Sequence, residues 1–178
     1  MIYSRIKYGS IITGQTTKEN IDQIQTLQNR LLKVLYKKKI NFSTNKLHKE
    51  LSVLKVEDMI KQETLSFVYQ YIHTKLPNVF SDYFLHRQNL SEMIEEKRKR
   101  RFILPKVETK LGERTIKYAG TKLFNENSWK LELNCTIKTF RKNVKKNYLS
   151  LYENLVKYHT YKSMKIDLII SNYLFFPK

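Results

Sequence analysis

Apolar positions recur at three- and four-residue intervals in four separate stretches of the chain, the period of an amphipathic helix. The first is Ile21, Ile24, Leu27, Leu31, Leu32 and Leu35. Thr16, with Glu19 three residues on, has the pattern of a capping box, so this helix is expected to open there and run to about Lys37. Lys37, Lys38 and Lys39 then suit the negative end of its dipole. Ser43 and Thr44 can cap a shorter helix carrying Leu47, Leu51 and Leu54. A third helix is expected from about Val56 to Ile72, on the stripe Val56, Ile60, Thr64, Phe67, Val68, Tyr71 and Ile72, with Glu57 and Asp58 in its first turn. Leu76-Pro77 ends it. The clearest is the last, Ile137, Phe140, Val144, Tyr148, Leu151 and Leu155, with Lys138, Arg141, Lys142, Lys145 and Lys146 mostly off the stripe.

Between the third and last helices the pattern changes. Phe102-Ile103-Leu104-Pro105 and Thr115-Ile116-Lys117-Tyr118 are two β-prone stretches around a polar turn with Gly112, which predicts a small hairpin. Lys122–Trp129 can form one or two helical turns. The opening stretch, with Ile2, Tyr3, Ile6, Tyr8, Ile11 and Ile12, begins without a cap, as though continuing a longer helix, and is broken by Gly9 and Gly14. No solenoid period is visible. The expected fold is mainly α, a bundle-like helical domain over residues 1–159 with a small β-hairpin, followed by an irregular tail over 160–178.

Charge adds a partner class to this picture. The chain has 178 residues and a net charge of +18, with 34 Lys and Arg against 16 Asp and Glu. Lys outnumbers Arg by 26 to 8 and Ala occurs once, the skew of AT-rich codons, so coding bias accounts for part of the excess. The excess is spread along the body: 11 basic against 5 acidic groups over residues 1–60, 12 against 7 over 61–120, and 11 against 4 over 121–178. A body-wide positive field favours polyanions, here the phosphate backbone of RNA or DNA. Two places concentrate it: the run Lys97, Arg98, Lys99, Arg100 and Arg101, and the face of the last helix holding Lys138, Arg141, Lys142, Lys145 and Lys146. A solvated surface is the plainer meaning of the helix face, whereas for the Lys97–Arg101 run phosphate contact or a nuclear localisation segment stands level with a solvated loop. Most of the 12 Tyr and 9 Phe are expected to pack in the core, although stacking on bases is open to any exposed one.

Catalytic chemistry finds little support. A two-metal polymerase needs clustered carboxylates, and Asp occurs only at 22, 58, 82 and 167. Glu57-Asp58 sits at a helix start, where the dipole explains it. His48, His73, His86 and His159 include no i,i+4 pair; Asp82 and His86 have that spacing but lack a third ligand nearby. Cys135 stands alone, which excludes an internal disulfide or a Cys-based zinc knuckle and reads as a structural thiol. The four glycines are scattered, with no phosphate loop. The longest apolar run is the four residues Tyr173–Phe176 and no secretory leader is visible, so neither a membrane span nor secretion is expected. The expectation is an intracellular chain, nuclear or cytoplasmic, with no catalytic residue, metal or cofactor.

An ordered set of short segments resembles one known family. Ile2-Tyr3-Ser4-Arg5-Ile6-Lys7-Tyr8-Gly9, followed by Ile24-Gln25-Thr26-Leu27-Gln28-Asn29-Arg30-Leu31-Leu32, is similar to the stretch just after the polymerase core of non-LTR (LINE-type, jockey-like) retrotransposon reverse transcriptases. Ser43-Thr44 with Leu47, Glu50-Leu51-Ser52-Val53-Leu54-Lys55-Val56-Glu57-Asp58, Leu76-Pro77-Asn78-Val79-Phe80, Arg101, Ile116-Lys117-Tyr118-Ala119-Gly120-Thr121-Lys122-Leu123-Phe124-Asn125 and Thr139-Phe140-Arg141-Lys142 follow in the family's order. The likeness covers about residues 1–155. It implies a non-catalytic C-terminal fragment of an RNA-directed DNA polymerase, with palm aspartates upstream, that helps hold RNA and DNA near the polymerase. The downstream Cys/His knuckle of some members has no counterpart here, and the tail after residue 160 matches nothing in the family. The rival readings are a structural or assembly module, pairing with itself or with the missing polymerase core, and a relic reading frame without function.

Overall fold

A computed structural model describes residues 9–85, 102–128 and 130–152; the Lys97–Arg101 run, Trp129 and the 160–178 tail lie outside the described residues. The protein is mainly helical. The helices are α1 (Ser10–Thr13), α2 (Lys18–Leu35), α3 (Thr44–Glu50), α4 (Val56–Ile72), a 3-10 turn (Asn78–Phe80), α5 (Lys110–Arg114) and α6 (Ile116–Asn127). Residues 137–152 form the described part of α7.

Helix α4 is the hub. Val56, Met59, Leu65, Val68 and Tyr69 are buried together with Gln62, Glu63, Thr64 and Ser66, so the helix is enclosed over most of its circumference. Helices α1, α2 and α6 pack against it. Two glycines set the approach. A Cβ on Gly120 would lie 3.3 Å from Val68 Cγ2 and 3.5 Å from Thr64 Cγ2, so α6 sits close on α4. A Cβ on Gly14 would lie 2.4 Å from Ile60 Cγ2 and 2.6 Å from the Ser10 carbonyl oxygen. An aromatic cluster closes the far end. The 3-10 turn places Phe80 on Phe67 with ring centroids 5.4 Å apart, and Phe84 joins Phe102 and Tyr71 at 5.3 and 4.9 Å. The Tyr71 hydroxyl lies 2.8 Å from both the Ser81 and Phe84 carbonyls, which ties the segment down.

The expected hairpin is absent among the described residues. Thr115 caps α6 and Ile116–Tyr118 form its first turn. The β propensity of that stretch yields to burial of Thr121 and Phe124 against α4 at helical spacing. Phe102 is tied to α6 by a side chain. Its N–H donates to Asn125 Oδ1 at 3.0 Å, and Asn125 Nδ2 donates to its carbonyl at 2.9 Å.

Two helices differ from expectation in their faces. Thr17, not Thr16, is the N-cap of α2, and its side chain makes no capping bond. Thr16 Oγ1 accepts from Asn20 Nδ2 at 2.8 Å instead. Along α2 only Gln28 and Leu32 are buried, whereas Ile24, Leu27 and Leu35 are exposed. On α7, Tyr152 is buried and Leu151 exposed, so the core stripe runs Phe140, Val144, Tyr148, Tyr152. The reason lies at the start of α4. The Tyr152 hydroxyl donates to Asp58 and accepts the Lys55 N–H at 3.1 Å, a pairing Leu151 cannot make.

Candidate nucleic-acid interface

Helix α7 is fixed before its outer face can act. Phe140 stacks on Tyr69 of α4 with centroids 4.5 Å apart, and Gln62 Nε2 donates to the Arg141 carbonyl at 2.7 Å. The segment leading into α7 is pinned at two points: the Tyr69 hydroxyl donates to the Cys135 carbonyl, and His73 Nε2 lies 3.1 Å from that of Leu133.

This anchoring divides the five sequence-predicted cations of α7. The Arg141 guanidinium turns inward, bonding Glu63 Oε2 at 3.1 Å and Ser66 Oγ at 3.2 Å, with Glu63 itself buried. Its charge neutralises a core carboxylate. Lys138, Lys142 and Lys146 are exposed and Lys145 half-exposed. Lys138, Lys142 and Lys146 follow one another at i, i+4 and i+8, so they form one line on the solvent side of a rigid helix. None of these four lysines is in an ion pair among the described residues. Like charges at that spacing cost a few tenths of a kcal/mol per pair, about 0.2–0.5, which a bound polyanion removes.

Other cations come together only in three dimensions. Lys61, Lys110, Arg114 and Lys122 rim a groove of about 450 Å³ between α4 and α5–α6, floored by Ile60, Ala119 and Leu123. Glu113 and Glu126 share that rim, and Lys61 is already paired with Glu57 at 2.7 Å. The sequence carries no signal for this grouping, whose members are spread from residue 61 to residue 122.

The polar motif of α2 is structural. Gln25 Oε1 accepts the Val56 N–H at 2.7 Å, capping α4 from another helix. Gln25 Nε2 donates to Gln28 Oε1 at 3.0 Å and Asn29 Oδ1 at 2.8 Å. Gln28 Nε2 donates to the Leu54 carbonyl at 3.0 Å. His48, fully buried, places Nε2 2.9 Å from Asn29 Oδ1 and Nδ1 3.0 Å from the Val53 carbonyl. Burial holds its pKa below the ordinary value, opposed by the Val53 bond and aided by the nearby Lys55 charge. Gln25, Gln28, Asn29 and His48 thus clamp the loop between α3 and α4.

The remaining reactive groups are occupied in similar ways. Asp58 serves Tyr152 and lies 3.8 Å from Lys61. The Glu57 carboxyl is held below its usual range by the Lys61 bond. Partial burial, with the Glu132 carboxylate second, pushes the Cys135 thiol up, away from the reactive thiolate. Among the described residues no group of three or more His, Cys, Asp or Glu could hold a metal, and no helix is long and apolar enough to cross a membrane. His86 of the Asp82–His86 pair lies outside them. No protein-family profile, curated protein or solved structure matches the chain.

Proposed function

We propose that this chain is a non-catalytic helical module that holds RNA or DNA by its phosphate backbone without reading sequence, and that it corresponds to the region after the polymerase core of a LINE-type reverse transcriptase. The observation that carries the binding is the line Lys138, Lys142, Lys146 on the outer face of α7. Three cations held on one rigid helix, with no ion-pair partner among the described residues, meet phosphates at little conformational cost. The +18 net charge supplies attraction at longer range.

The family assignment rests on the ordered segments of the sequence alone. Gln25, Gln28 and Asn29 of the first segment form one network that bonds Leu54 and Val56 of a later one, and Asn125 of another bonds Phe102.

The test is binding to unrelated RNA and duplex DNA sequences across a salt series. Affinity that is alike for all sequences and falls steeply with salt supports the proposal; absence of binding at low salt, or a flat salt response, rejects it.

A further inference from the structure

Helix α2 has an apolar arc wider than the other described residues cover. Its covered half is Ile21, Gln28 and Leu32, facing α3, α4 and the clamped loop. Next to it, Ile24, Leu27 and Leu31 continue at three- and four-residue spacing to Val34 and Leu35. Leu27, Val34 and Leu35 are 63%, 74% and 63% exposed, and Ile40 just beyond the helix is 91% exposed. At roughly 100 Å² per large apolar side chain, this stripe comes to about 500 Å². That is the upper end for the largest apolar patch of a monomer and over half of the ~800 Å² that each partner gives to a standard interface.

We infer that this stripe is a self-association surface, on which a second copy of the chain lays its own α2 antiparallel. Three features favour that occupant. Ile24, Leu27, Leu31 and Val34 repeat at 3, 4 and 3 residues, the seam of a two-helix coiled pair. The ends of α2 differ in charge: Lys18, Glu19 and Asp22 leave the N-terminal end net negative, while Arg30 and Lys33 make the other end positive. An antiparallel copy sets acidic end beside basic end and opposes the two dipoles, whereas a parallel copy stacks like on like. A two-fold axis near the middle of the stripe also lets one patch serve both chains, as a closed dimer requires.

The surface is independent of the lysine line on α7, and its salt dependence has the opposite sign. Two chains of +18 repel, so salt strengthens the dimer while it weakens nucleic-acid binding. The experiment is sedimentation of the nuclease-treated full chain at low and high salt, for wild type, Leu27→Glu and Val34→Glu. Both side chains are exposed, so these changes leave the fold intact, as circular dichroism verifies. The expected result is a dimer that tightens with salt, and at least about tenfold weaker association in each variant. Orientation is read in a Cys135→Ser background by oxidising mixed chains. Ile24→Cys is expected to cross-link to Val34→Cys but not to itself. A monomer at all salt concentrations, a dimer indifferent to both charges, or self-linking at position 24 overturns the inference.

Discussion

Replacing Gln25 by Leu tests whether α2 holds the start of α4. The substitution keeps volume and helix propensity nearly constant but removes three hydrogen bonds: one from the Val56 N–H, and one each to Gln28 and Asn29. A typical bond contributes about 1 kcal/mol net, and a buried donor or acceptor left unmet costs about 1–3 kcal/mol. Gln25 is half-buried, so water can reach part of the site and lowers the total. The expected loss is about 2–3 kcal/mol of unfolding free energy, or a fall of about 4–12 °C in Tm for a chain of this size. Urea denaturation read by circular dichroism measures it, with exposed Gln23→Leu on the same helix as the control, expected within about 0.5 kcal/mol. An effect of Gln25→Leu no larger than that of the control would refute the clamp. A double-mutant cycle with Asn29→Leu should show coupling above about 0.5 kcal/mol, because the two side chains share one network.

Other consequences follow from single positions. Gly14→Ala meets Ile60 Cγ2 and the Ser10 carbonyl although Gly14 has ordinary helical dihedrals, so the cost is contact alone, about 1–3 kcal/mol by thermal melting. Thr74 follows α4 with φ of 49°, where a β-branched residue is strained; Thr74→Gly should raise stability by about 1 kcal/mol, and a loss would contradict the strain. His48 is held below its ordinary pKa of 6.5 when folded, so the unfolded chain binds the extra proton first. Its contribution is therefore fully present above pH 6.5 and is lost as pH falls toward the folded value. Unfolding free energies measured through that window should decline, and His48→Gln should flatten the decline.

The sequence and the structure agree where one periodicity and one stop signal act together. Val56–Ile72 is a helix over the expected span because its apolar residues, its acidic first turn and Leu76-Pro77 all point the same way. They part where the decisive partner is distant. Ile116–Tyr118 reads as β-prone locally, yet it turns into helix where Gly120 lets α6 close on Val68, far away in sequence. The α2 stripe reads as core by spacing, but spacing cannot say how much of an apolar arc the rest of the chain covers. Arg141 looks like its neighbouring lysines until Glu63, buried on α4, is seen to claim it. The candidate site was legible as a basic face and not as the subset of it that stays outward.

The most direct test of nucleic-acid holding is the salt dependence of RNA binding for the triple variant Lys138→Gln, Lys142→Gln, Lys146→Gln, set beside a control at three exposed lysines off α7, Lys39→Gln with Lys75→Gln and Lys106→Gln. Removing one phosphate-binding cation lowers the slope of log affinity against log salt by about 0.7–0.9. The α7 variant is therefore expected to lose about 2–3 in slope, equally on every sequence, with stability unchanged. The control removes the same charge and should lose clearly less. Equal losses for the two variants would mean that net charge alone binds, contradicting the assignment of the interface to α7.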